Sequence, residues 1–206
     1  MSQATEYDRQ YHVWLERQGD AVRDLEWRLR HLPWRQRVLL RRYPPAGKRV
    51  LDCGCMDGVF TFALQRAGAR AVGYDISAAA IAQATVFRGA AATPVFTTQP
   101  PDPGTFDLVF CCEVLEHMRD DRAFAGELVR YLAPGGRVVG TTPVGHAFWD
   151  PDHKRTYDDE AALRRVLEPW GCVRLRRYYR TRLRNLLPVR QRGAAVFVFE
   201  VAPPAR

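Results

Sequence analysis

Long apolar runs are missing from this 206-residue chain. A helix that crosses a bilayer needs roughly 18 consecutive apolar residues, and no stretch approaches that length, so a helical membrane span is excluded. The first thirty residues are interspersed with Asp, Glu and Arg and hold no apolar core behind a charged start. That pattern argues against a secretory signal and predicts a soluble, cytoplasmic protein. Lysine is nearly absent, since all but two of the 31 basic residues, Lys48 and Lys154, are arginine. Such a skew is partly compositional, so the net charge of +8 says less than where the arginines gather. From Val173 to Arg192 there are eight arginines and no acid, which places a basic face at the C-terminal end suited to an anionic partner. Paired C-x-x-C knuckles are missing too. The five cysteines include Cys53-x-Cys55 and the adjacent Cys111 and Cys112, spacings that exclude a structural zinc finger and predict reduced, mostly buried thiols.

Repeats, low-complexity tracts and long linkers are absent as well, so one domain with decorations is expected. Residues 1–46 carry apolar positions at Val13, Trp14, Leu15, Val22, Leu25, Trp27 and Leu29, compatible with arginine-rich amphipathic helices. From residue 47 onward the chain alternates. Short apolar segments at 49–53, 71–74, 95–97, 106–111 and 137–140 read as strands, and helices are predicted over 59–67, over 77–88 with Ser77 as N-cap, and over 120–132, ending at Pro134-Gly135-Gly136. Strands separated by helices of this length imply βαβ units and a parallel sheet. A further helix at 158–167 precedes two strands, 172–179 and 194–201, with no ordinary crossover helix between them, so these pair antiparallel. The expected fold is α/β, a doubly wound, mostly parallel seven-stranded sheet with a C-terminal antiparallel strand.

Ligands of such sheets bind beyond the carboxyl ends of the strands. After the first strand comes Asp52-Cys53-Gly54-Cys55-Met56-Asp57-Gly58, whose glycines allow a sharp turn close to a ligand. The second strand ends at Asp75, an acid placed to accept hydrogen bonds from both ribose hydroxyls of an adenosine. Both NAD and S-adenosylmethionine present that ribose. A hydride-transferring reductase is disfavoured because its G-x-G-x-x-G loop is missing and the chain has no second domain to hold a substrate.

Val50-Leu51-Asp52-x-Gly54-Cys55-x-x-Gly58, Gly73-Tyr74-Asp75-Ile76-Ser77, Phe106-Asp107-Leu108-Val109 running into Glu113-Val114-Leu115-Glu116-His117, and Leu132-Ala133-Pro134-Gly135-Gly136 follow one another in order. Together they resemble the class I S-adenosylmethionine-dependent methyltransferases. The resemblance implies that Asp52, Gly54, Cys55 and Gly58 surround the methionine part of the cofactor and that Asp75, beside Ile76, binds the ribose. It further implies that Cys112 opens the segment lining the methyl-transfer pocket; the acid that commonly reads the adenine after the third strand is absent, leaving Thr98 among the polar groups available there, and Tyr11 of the N-terminal helices is expected to cover the cofactor. S-adenosylhomocysteine would be the product. On this reading residues 1–46 form a helical lid and 47–206 the cofactor-binding domain. Met56 stands where the family usually has a second glycine, so the backbone there is expected to avoid positive φ, or else the cofactor sits slightly differently.

Glu113, Glu116 and His117 stand at i, i+3 and i+4, which puts them on one face if a helical turn follows the fourth strand. His153, downstream of the fifth strand, is expected to close on that face. Two carboxylates and two imidazoles form a mixed ligand set suited to a divalent cation. The segment is similar to that of ubiquinone-pathway O-methyltransferases and of RNA 3′-terminal ribose 2′-O-methyltransferases, where the resemblance implies that metal holds acceptor oxygens. In methyltransferases without a metal a similar segment positions substrate or packs locally, and His117, His146 and His153 are the candidate bases for deprotonating an acceptor hydroxyl. The expected activity is O-methylation of a small anionic or polyhydroxylated metabolite of a biosynthetic pathway. RNA ribose methylation, or a role as a non-catalytic S-adenosylmethionine-binding subunit, are the alternatives.

Overall fold

The computed structural model describes residues 3–18, 24–145, 152–179 and 195–204. The chain divides into two compact units, 1–102 and 103–206. Among the described residues no helix is long and apolar enough to cross a membrane.

Among the described residues of the first unit, α1 (Gln3–Gln18), α2 (Leu25–Arg30) and α3 (Trp34–Arg42) precede the first strand. Then follow β1 (Arg49–Cys53), α4 (Val59–Arg66), β2 (Arg70–Tyr74), α5 (Ala78–Arg88) and β3 (Val95–Thr97). The strands run parallel in the order β3-β2-β1, with Leu51 opposite Val72 and Gly73 opposite Phe96. Strand β1 reads as a continuous apolar run because four of its five residues are buried, as expected for a parallel strand covered on both faces. Ser77 caps α5 by accepting the Ala80 N–H, and α4 begins at Gly58 in a left-handed conformation that a β-carbon would disfavour. Space is short there as well, since a β-carbon on Gly58 would lie 2.4 Å from the Phe96 ring.

The second unit contains β4 (Phe106–Cys112), a 3₁₀ turn (Leu115–His117), α6 (Asp121–Arg130), β5 (Leu132–Pro143), α7 (Glu160–Leu167), β6 (Cys172–Tyr179) and β7 (Ala195–Ala202). Its strand order is β4-β5-β7-β6. β5 is parallel to β4, whereas β7 is antiparallel to both β5 and β6. The core is built from Phe110, Phe197, Phe199, Leu128, Leu163 and Leu167, all fully buried. The fold class is therefore the expected one, with seven strands, mostly parallel, and an antiparallel strand near the C-terminus.

Two local readings are corrected. The helix expected over 120–132 stops at Arg130, and the Pro134-Gly135-Gly136 segment lies inside strand β5 rather than behind the helix. The register shifts there, with Phe106 opposite Leu132 but Leu108 opposite Arg137, so the extra residues form a bulge. Gly136 makes that bulge possible, because a β-carbon would come within 2.8 Å of the Phe106 carbonyl oxygen. The turn after β4 also differs from expectation. Glu113 adopts φ +58 instead of starting a helix, held by its N–H donating to the Thr141 carbonyl at 2.9 Å, and the tight turn begins two residues later.

Candidate active site

In the first unit the chain leaves β1 through a loop of three left-handed residues, Gly54, Met56 and Gly58, at φ +75, +53 and +80. The expectation that Met56 avoids positive φ is corrected. Its strain is offset by hydrogen bonding, since the Met56 N–H donates to Asp75 Oδ2 at 2.8 Å. The loop is tied to β2 by the Gly54 and Cys55 N–H groups, which share the Tyr74 carbonyl at 2.8 and 3.1 Å. Asp75 Oδ1 accepts the Ser77 N–H at 2.9 Å, so two backbone donors fix the carboxylate. Each oxygen keeps a second lone pair, so the carboxylate can accept from the two neighbouring hydroxyls of a ribose. Cys55 is buried within the loop, while Ile76 and Thr98 are half-buried behind β2 and β3.

The N-terminal helices close on this loop through Tyr11, which the sequence singled out, and through Arg28 and Asp8, which it did not. Tyr11 of α1 donates to Asp57 Oδ2 at 3.4 Å, and Arg28 of α2 forms an ion pair with the same oxygen. Trp14 stacks on Tyr11, and the Arg28 guanidinium lies 5.2 Å over the Trp14 ring. Asp8 accepts the Ser77 hydroxyl at 2.7 Å and the Ala79 N–H at 3.0 Å, which places a carboxylate at the N-terminus of α5. Tyr11 was expected on the cofactor side, and Asp57 carried a signal because it lies inside the glycine loop. Nothing in the sequence links Asp8 or Arg28 to partners 69 to 71 and 29 residues away.

The loop is electrostatically negative. Burial pushes the Asp52 carboxyl up to about 7, the Thr61 hydroxyl partly offsets this, and Asp75 adds to it. Asp75 is raised as well, first by burial and further by Asp57 and Asp8, against the pull of its two backbone donors. Such a surround favours a ligand that carries positive charge.

In the second unit β4 ends at half-buried Cys112, opposite Thr141 of β5. Glu116 in the turn beyond is 2% exposed, and its Oε2 accepts the Thr142 hydroxyl at 3.0 Å. The rings of His117 and His153 meet edge to face, centroids 4.8 Å apart. One ligand atom each from Glu116, His117 and His153 lie within 4.8 Å of one another. Glu113 is not part of this cluster, because its left-handed backbone takes it off the face that a helical turn would have shared. His146 lies outside the described residues. One buried carboxylate and two imidazoles form a donor set of the kind that binds a divalent cation or takes a proton from a hydroxyl.

A family model described as a methyltransferase domain matches residues 25–193. The chain is 35% identical over 106 residues to the ubiquinone biosynthesis O-methyltransferase of Ralstonia nicotianae, covering 48% of this chain and 44% of that one. It spans about half the length of the curated relatives it matches. Among solved structures it is similar to an S-adenosylmethionine-dependent methyltransferase from Mesorhizobium loti, with a TM-score of 0.61 at 18% identity, covering 88% of this chain and 100% of that one. It is also similar to Haemonchus contortus phosphoethanolamine N-methyltransferase 2 bound to S-adenosylhomocysteine, with a TM-score of 0.65 at 16% identity, covering 82% of this chain and 52% of that one.

Proposed function

The chain belongs to the class I S-adenosylmethionine-dependent methyltransferase family, and from that premise we propose that it methylates a hydroxyl oxygen of a small, anionic or polyhydroxylated biosynthetic metabolite in the cytoplasm. The observation that carries the hydroxyl assignment is the convergence of Glu116, His117 and His153 beyond the carboxyl ends of β4 and β5. In the first unit Asp75 receives the ribose, the 54–58 loop lies along the methionine part, and the lid residue Tyr11 covers it. The acidic surround suits a cationic donor better than its neutral product. S-adenosylmethionine, when bound, supplies an electrophilic methyl group on a sulfonium.

In the second unit the acceptor hydroxyl must lose its proton as its oxygen forms the new bond to carbon. His117 or His153 takes that proton, while Glu116, fixed by Thr142, orients the imidazoles. The same three side chains would hold a divalent cation, which would make a bound hydroxyl more acidic and so ease the loss of its proton. Glu113 is left out of that ligand set.

Transfer of labelled methyl from S-adenosylmethionine to hydroxylated acids and polyols tests the proposal. Turnover lost in His117→Ala and His153→Ala, with cofactor binding intact, supports it. EDTA separates the two uses of the cluster: loss of turnover restored by Mn²⁺ assigns the cation, and indifference with a rate rising near the histidine pKa assigns a base. Turnover of amines but not hydroxyls would overturn the oxygen assignment.

A further inference from the structure

His153 reaches Glu116 and His117 from a segment 36 residues downstream of His117, and its placement needs an anchor. We infer that Tyr157, acting through Asp121, is the positioning residue that sets His153 against the Glu116–His117 turn. The inference rests on the reading of that cluster as acceptor-side chemistry. Tyr157 is 3% exposed, and its hydroxyl donates to Asp121 Oδ2 at 2.9 Å and approaches the Leu115 carbonyl at 3.5 Å. Both acceptors flank the Glu116–His117 turn, one at its start and the other in the first turn of α6.

The backbone of the segment is docked on the same turn. The N–H groups of Lys154 and Arg155 both donate to the Glu116 carbonyl, at 2.8 and 3.0 Å. The Arg155 guanidinium binds the Arg119 carbonyl and lies 3.9 Å from Asp121. At the other end of the segment the Tyr157 carbonyl accepts the Gly145 N–H at 2.7 Å, joining it to the end of β5. His153 thus sits one residue before a stretch gripped from three sides.

The hydroxyl is the informative atom. Packing alone would be served by a phenylalanine ring, whereas the Tyr157 oxygen bridges to α6 and to the turn. Burial and the Asp121 carboxylate push its ionisation up, so it remains a donor across the whole working pH range. Asp121 in turn joins Tyr157 and Arg155, so one carboxylate holds both sides of the clamp.

Tyr157→Phe tests this with two readouts. The first is the nuclear Overhauser contact between the His117 and His153 rings, measured on the protein without acceptor. It is expected to fade in Tyr157→Phe and in Asp121→Ala, and to survive in Asp121→Asn, which keeps an acceptor oxygen. The second is kinetic: kcat should fall about ten- to a hundredfold in Tyr157→Phe with S-adenosylmethionine affinity unchanged, because small misplacements of a reacting group are costly. An unchanged ring contact and an unchanged kcat overturn the inference. If Tyr157→Phe fails to fold, the Asp121→Asn and Asp121→Ala pair decides, since equal ring contacts in the two overturn it. A wild type that methylates no hydroxyl overturns the functional reading while the ring contact still tests the clamp.

Discussion

Replacing Asp52 by Asn should make the protein more stable at neutral and alkaline pH. The Asp52 side chain is 2% exposed, accepts one hydrogen bond, from Thr61 at 2.7 Å, and faces the field of Asp75. Burial lifts its pKa from 3.8 to about 7, so the folded protein holds this proton more tightly than the unfolded chain does. Its contribution is therefore fully present below the unfolded value and is lost as pH rises through the folded one. At about 1.36 kcal/mol for each tenfold change, the span from 3.8 to about 7 corresponds to about 4 kcal/mol lost between acid and neutral pH. Asparagine keeps an oxygen for Thr61 and carries no charge, so it escapes that loss. Urea unfolding of the two proteins across about pH 4 to 8 measures it, because other titrating groups cancel in the difference. The stability of Asp52→Asn relative to wild type should climb by about 4 kcal/mol over that range. A difference that is flat with pH, or that falls, would refute a buried and destabilising carboxylate.

Arg28→Ala leaves the Asp57 carboxylate, only 2% exposed, without its ion pair and should cost about 2 to 4 kcal/mol in urea unfolding; a loss under about 0.5 kcal/mol would mean that Tyr11 and solvent suffice. Gly126→Ala drives a β-carbon to 2.6 Å from the Trp170 ring, whose Nε1 is anchored on the Arg122 carbonyl, so it should destabilise by about 1 to 3 kcal/mol and shift the tryptophan emission. An unchanged melting temperature would show that Trp170 yields freely. If Arg176 and Arg177 of β6, with Arg180 and Arg182, which lie outside the described residues, attract an anionic acceptor, higher salt should raise the KM for that acceptor and leave cofactor affinity nearly constant. Parallel loss of both affinities would argue against a local effect.

The alternation of strands and helices was legible because apolar runs, the Ser77 cap and Gly/Pro punctuation all act locally. The turn at 54–58 and the position of Asp75 at the end of β2 were legible for the same reason, since glycines and strand ends are local features. The turn at Glu113 was not. A helical reading of 113–117 follows from spacing, but the chain there is governed by the Glu113 N–H bonding to Thr141, a partner 28 positions away. That long-range bond removed Glu113 from the cluster, while His153 joined it as its position beyond β5 suggested. Gly135 and Gly136 signal a helix end in sequence, yet in the fold they serve a bulge, where only a residue without a side chain can lie against the Phe106 carbonyl. The latch of Tyr11, Arg28 and Asp57 and the clamp of Tyr157 on Asp121 are contacts between distant segments, and no local periodicity encodes them.

Calorimetric titration of S-adenosylmethionine into the wild type and into Asp75→Ala tests the central claim most directly. The wild type should bind one equivalent, and the variant should bind about 1 to 3 kcal/mol more weakly, because it loses a charged acceptor for two hydroxyls. A wild type that binds no S-adenosylmethionine, or a variant that binds it equally well, would contradict the account.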